Sequence, residues 1–136
     1  MSKEAIYQKR TKQGCWVSLF FYKIPFDYTD ETNTHHYITA ISVALRIGES
    51  KHHNKRWFNY DPKYSGSAIT GNGSLENLWT ALQLLQKYEL KYPQTTIVIF
   101  AEDSRRYNAY KWLKRYGYEE YDSDAGKCLV KLGKRR

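Results

Sequence analysis

The sequence predicts a mixed α+β domain, and three stretches carry that expectation. From Tyr37 to Ile47, apolar side chains at Ile41, Val43, Leu45 and Ile47 alternate with Ser42, Ala44 and Arg46, the period of a pleated strand with unequal faces. Leu75, Leu78, Trp79, Leu82 and Leu85 recur at helical spacing, which predicts a helix over residues 75–91 with those side chains on its core face. Thr96 to Ala101 is a short continuous apolar run of the kind found in a strand buried on both faces. A chain of 136 residues is long enough for one compact domain and short for two. Residues 1–13 and 133–136 are expected to be flexible ends.

The remaining elements follow in order. Cys15 to Ile24 is rich in aromatic and β-branched residues and stops at Pro25, so it is expected to be a strand. The next dozen residues, with Asp27, Asp30, Glu31 and Asn33, have the composition of a loop, and Tyr37–Ile47 returns as an antiparallel strand. After a polar turn at 48–55, Arg56 to Tyr60 is expected as a further strand, interrupted by Asp61-Pro62. Ser67-Ala68-Ile69 then leads into Gly71-Asn72-Gly73-Ser74, with Ser74 as the helix N-cap. Pro93 ends that helix, and strand, glycine turn, helix and buried strand together predict a right-handed crossover. A second helix is expected over about residues 104–116, capped by Asp103 or Ser104 and closed by Gly117, with Ala109, Trp112, Leu113 and Tyr116 facing the core. Residues 118–121 and 128–132 are expected to form a terminal hairpin around Asp124-Ala125-Gly126.

Composition narrows the function classes. A formal net charge of +8 favours an acidic or phosphate-bearing partner, and the aromatic share of 16%, carried mostly by 13 Tyr, offers stacking surface as well as packing. The two cysteines, Cys15 and Cys128, show neither a disulfide framework nor the spacing of a zinc site, so a reducing interior and a cytoplasmic location are expected. No apolar run has the length of a membrane span, and the polar start at Met1-Ser2-Lys3-Glu4 does not have the character of a signal peptide. The adjacent pairs His35-His36 and His52-His53 diverge on extended backbone, so loop polarity is expected there and no metal site.

The turn at Gly71, Asn72, Gly73 and Ser74 is the strongest candidate for ligand binding. It presents backbone N–H groups at the positive end of a helix, an arrangement suited to phosphate. Antiparallel strands, glycine turn, helix, central strand, second helix and terminal hairpin, over roughly residues 37–132, resemble the GNAT family of N-acetyltransferases. In that family the turn holds the pyrophosphate of acyl-CoA under the pattern Arg or Gln, two residues, Gly, any residue, Gly or Ala. Here Ala68-Ile69-Thr70-Gly71-Asn72-Gly73 keeps both glycines and has Ala68 in the leading place. The second helix keeps Ala109 and Gly117-Tyr118, with Arg106 where the family has Asn and Leu113 where it has a catalytic Tyr.

The resemblance implies acetyl-CoA as cofactor, a splay between parallel strands for its pantetheine arm, and a general acid for the departing thiolate. Tyr110, about 60° round the helix from Leu113, is the candidate for that acid, and Asp61 is the candidate carboxylate at the substrate cleft.

Two other readings compete. Arg106, Tyr107, Tyr110, Lys111, Lys114 and Arg115 interleave cations with aromatics on the second helix, the chemistry of a non-catalytic module that binds nucleic acid or protein. The stretch from Thr70 to Glu76 and Trp79, then Phe100 to Ser104 and Lys111 to Leu113, resembles the middle of a ribonuclease H-type domain. That likeness implies Glu76 and Asp103 as metal-holding carboxylates of a nuclease, although Cys15–Ile24 carries no Asp to complete the set.

Overall fold

The computed structural model describes residues 2–12, 14–48, 75–100, 110–123 and 126–134. These residues form a mixed α+β structure with one mostly antiparallel six-stranded sheet. The strands are β1 (Ser2–Arg10), β2 (Trp16–Thr29), β3 (His35–Gly48), β4 (Ile97–Phe100), β5 (Glu119–Ser123) and β6 (Gly126–Lys131). A helix, α1 (Leu75–Lys91), lies between β3 and β4 in the chain, and a short 3-10 helix, Lys111–Tyr116, precedes β5. The strand order is β1-β2-β3-β4-β6-β5. β3 and β4 run parallel, whereas β4 with β6 and β5 with β6 are antiparallel. No helix among the described residues is long and apolar enough to cross a membrane.

The chain groups into two compact units. The first comprises Met1–Glu4, Phe21–Ala44 and Tyr92–Arg136. Its core is built from alternate residues Phe26 and Tyr28 of β2 and Ile41 and Val43 of β3, and from consecutive residues Ile97 to Ile99 of β4 and Cys128 to Val130 of β6. β4 is the innermost of these, with Val98 fully buried, as its apolar run predicts.

β2 does not stop at Pro25, as its composition suggested, but continues to Thr29. Thr11 N–H donates to the Cys15 carbonyl at 2.8 Å and Gln8 Nε2 donates to Ser18 Oγ at 2.9 Å, which sets the β1–β2 register. The dozen residues expected as a loop after Pro25 shrink to the turn at 30–34, because Phe26 and Tyr28 are buried while Pro25 and Thr29 are exposed. That alternation prolongs the strand.

The second helix is described from Tyr110 onward. It ends in a Schellman motif: Gly117 N–H donates to the Lys114 carbonyl and Tyr118 N–H to the Leu113 carbonyl, with Gly117 at φ 95°. Leu113 and Tyr118, which this motif brings together, are buried at 6% and 1% exposure. Trp112 and Tyr116, expected in the core with Leu113, are half-buried and meet ring edge to ring face at 5.6 Å. The terminal hairpin forms as predicted, with Glu119 opposite Val130 and Ser123 opposite Gly126.

The second unit comprises Ala5–Phe20 and Leu45–Lys91. Residues 2–10, expected as a flexible lead, form β1 in the structure. α1 spans the predicted residues, but its buried face is turned from the predicted one. Leu82 and Leu85 are buried as expected, joined by Asn77, Thr80, Leu84 and Tyr88, while Leu78 is half-buried and Trp79 is 51% exposed. Leu84 and Tyr88 continue the stripe through the C-terminal half of the helix, and that longer stripe decides which way it faces. Tyr88 meets the edge of Tyr7 of β1 at 5.8 Å.

Candidate functional site

The feature of the first unit best suited to receive a ligand is a fork in the sheet. β4 pairs with β6 along its whole length, from Ile97 opposite Lys131 to Phe100 opposite Cys128. Its pairing with β3 is shorter: Ile41 lies opposite Ile97 and Ser42 opposite Val98, with Ile41 N–H donating to the Thr96 carbonyl at 2.9 Å. Both strands run on, β3 to Gly48 and β4 to Phe100, so among the described residues they part after Ser42 and Val98. Val43 and Ala44 on one arm and Ile99 and Phe100 on the other are not paired with each other. Peptide groups of two parting parallel strands can hydrogen-bond an extended chain laid between them.

The root of the fork is pinned from below. Gly133 N–H donates to Thr96 Oγ1 at 3.0 Å, and Lys134 N–H donates to the Pro93 carbonyl at 2.9 Å. The segment after β6, expected to be flexible from residue 133, is thereby tied to the residues that enter β4.

Of the residues nominated from sequence, Gly71, Asn72, Gly73, Ser74 and Asp61 lie outside the described residues, as do Arg106, Tyr107 and Asp103. Tyr110 occupies the N-cap position of the 3-10 helix, half-buried, at φ −85° and ψ −12°. Leu113, where the family likeness would put a Tyr, is packed in the core. Lys111, Lys114 and Arg115 are exposed, and Lys114 Nζ forms an ion pair with Glu120 Oε1 at 2.6 Å, so part of the charge on this helix is compensated internally. Glu76 Oε1 accepts the Lys12 backbone N–H at 2.8 Å. Among the described residues no three His, Cys, Asp or Glu side chains converge as metal ligands.

Sequence reasoning passed over a polar cluster at the β2–β3 turn. Asp30 Oδ1 accepts from Thr32 N–H (2.9 Å), Thr32 Oγ1 (2.7 Å) and Thr34 N–H (2.9 Å), and Asp30 Oδ2 lies 2.7 Å from His36 Nε2. The hydrogen bond from Thr32, then those from His36 and the backbone, hold the Asp30 carboxyl well below the usual carboxylate range. The His36 ring stacks on Tyr28 at 4.9 Å, and Tyr28 meets Tyr121 edge-on at 5.1 Å. Burial, then the Glu119 carboxylate it hydrogen-bonds, push the Tyr121 phenol up to about 12. The signal in the sequence was Asp30 followed by Thr32 and Thr34, an Asx-turn pattern that a reading by composition treats only as loop. The carboxylate's acceptor capacity is spent on the turn, so this cluster serves to close the hairpin. No family model, curated protein or solved structure matches the chain.

Proposed function

We propose that the chain is a GNAT-like acyl-CoA-binding protein that transfers acetyl to an amine. The observation that carries the reading is the fork: a parallel β3–β4 pair, joined through α1, that opens after Ser42 and Val98 beside a strand otherwise fully paired. In this proposal the pantetheine arm lies between the arms of the fork and hydrogen-bonds its peptide groups. The family resemblance implies the turn at Gly71 to Ser74, which lies outside the described residues, as the pyrophosphate site.

The chemistry of this reading is a direct transfer. The acceptor amine, losing a proton to Asp61, attacks the thioester carbonyl; the C–N bond forms, the C–S bond breaks, and the thiolate takes its proton from Tyr110. Tyr110 is proposed for that role because Leu113 is committed to the core and Tyr110 is the phenol one turn earlier on the same helix.

Thermal unfolding with and without acetyl-CoA tests the reading. Saturating ligand should raise the midpoint by several degrees, since a ligand at about a hundred times its dissociation constant contributes ~2.7 kcal/mol. Gly73→Trp should abolish the rise without lowering the midpoint of the unliganded protein by a comparable amount. No shift at millimolar acetyl-CoA would sink the proposal.

A further inference from the structure

In the second unit, β1 and the turn after it run alongside α1 in the opposite direction. Three contacts fix that arrangement: Lys87 Nζ lies 5.6 Å from the centroid of the Tyr7 ring, Lys9 Nζ donates to Gln83 Oε1 at 3.5 Å, and Lys12 N–H donates to Glu76 Oε1 at 2.8 Å. Glu76, Trp79, Gln83 and Lys87 fall within an arc of about 80° on the helix and run over ~16 Å of its length. The result is a lane with β1, the edge strand of the sheet, on one side and the outer face of α1 on the other.

The lane carries three lysines and one carboxylate, Glu76, whose Oε1 accepts the Lys12 backbone N–H. Lys9, Lys12 and Lys87 are exposed, and none of them is in an ion pair among the described residues. From Ala5 to Lys12 there is no carboxylate, and Glu89 stands about 200° round the helix from Lys87. The Lys114–Glu120 pair on the second helix makes the contrast. Trp79 sits on the same stripe, 51% exposed, four residues from Gln83. An exposed indole beside lysines that form no ion pair among the described residues offers a base a stacking surface and its phosphates neutralisation.

We infer that this lane binds single-stranded nucleic acid, with Trp79 stacking a base and Lys9, Lys12 and Lys87 neutralising the backbone. A single strand is specified because stacking on Trp79 needs an unpaired base. The inference is independent of acyl-CoA binding.

Fluorescence anisotropy with a labelled oligothymidylate of about twelve nucleotides tests it. Three neutralised phosphates predict a slope of log affinity against log salt of about −2, a loss of roughly twentyfold between about 50 and 200 mM salt. The triple variant Lys9→Glu, Lys12→Glu, Lys87→Glu should bind at least about tenfold more weakly with a flatter slope. Trp79→Ala should lose about fivefold or more with the slope unchanged. Lys111→Glu with Arg115→Glu, on the other basic helix, should bind as the wild type does. Circular dichroism confirms that each variant folds; if the triple variant does not, Lys87→Glu alone should still weaken binding and lower the slope by about one contact.

The inference is overturned by absent wild-type binding, by equal affinity for a duplex of the same length, by Trp79→Ala binding normally, or by loss of binding confined to the Lys111/Arg115 variant. Since acetyl-CoA is not in this assay, failure here leaves the thermal-shift result standing, and the reverse holds too.

Discussion

Gly133→Ala should loosen the root of the fork, and the structure sets the size of the effect. A Cβ built on Gly133 would overlap the carbonyl carbon and oxygen of Gln94 and stand 3.0 Å from the Thr95 nitrogen. All three are backbone atoms, so no side chain can swing aside; the two segments must separate. Separation breaks or stretches the Gly133 N–H bond to Thr96 Oγ1 and the Lys134 N–H bond to the Pro93 carbonyl. At about 0.5–1.5 kcal/mol for each hydrogen bond, the loss is about 1–3 kcal/mol. For a chain of this length that lowers the midpoint of thermal unfolding by roughly 4–10 °C.

Calorimetry or circular dichroism melts measure the midpoint, and Thr96→Val separates the terms. That variant removes the side-chain acceptor without a clash and should cost about 1 kcal/mol. Acetyl-CoA, if it braces the arms of the fork, should restore part of the loss in Gly133→Ala. A midpoint within about one degree of wild type would refute the reasoning, because a methyl would then fit where backbone atoms leave no space for it.

The remaining predictions concern the turn and the core. Asp30→Asn should lower the midpoint at neutral pH. Because the folded Asp30 carboxyl lies below its unfolded value, its contribution is complete above about pH 4 and is lost as pH falls toward the folded value; a wild-type advantage that stays constant from neutral pH to pH 3 would refute this. Leu113→Ala, at a buried position under the Schellman motif, should cost ~3 kcal/mol and lower the midpoint by about 10 °C, whereas a near-neutral result would show that the motif does not depend on that contact. Glu120→Gln should change stability by under about 0.5 kcal/mol, because the Lys114–Glu120 pair is exposed on both sides.

What could be read in advance depended on whether a residue's role was local. The bounds of α1 and the Gly117 stop were legible because caps and breakers act on their immediate neighbours. β1 was passed over because a polar edge strand such as Lys9-Arg10 with Gln8 carries no apolar period to detect. Trp79 was assigned to the core because size and spacing suggested it, yet the helix orients by the longer stripe through Leu84 and Tyr88. Pro25 looks like a strand end, yet the buried Phe26 and Tyr28 beyond it carry β2 on to Thr29. The fork was expected only through a family likeness, since where two distant strands cease to pair is a matter of register, which no local pattern encodes. The contact of His36 with Asp30 is not legible in the sequence because the two residues lie on opposite sides of a turn whose composition predicts only a loop.

The Ile41–Ile97 junction also has a bearing on the order in which the sheet assembles. β5 and β6 are two residues apart in the chain, and β2 and β3 five, so both hairpins close small loops. The β3–β4 junction must gather the whole stretch containing α1 and is held by two register positions once it forms. It carries the largest closure entropy and the shortest ladder of the described pairings, which marks it as a late step in folding and an early one in unfolding. A molecule lodged in the fork would therefore act chiefly on the rate at which the protein comes apart.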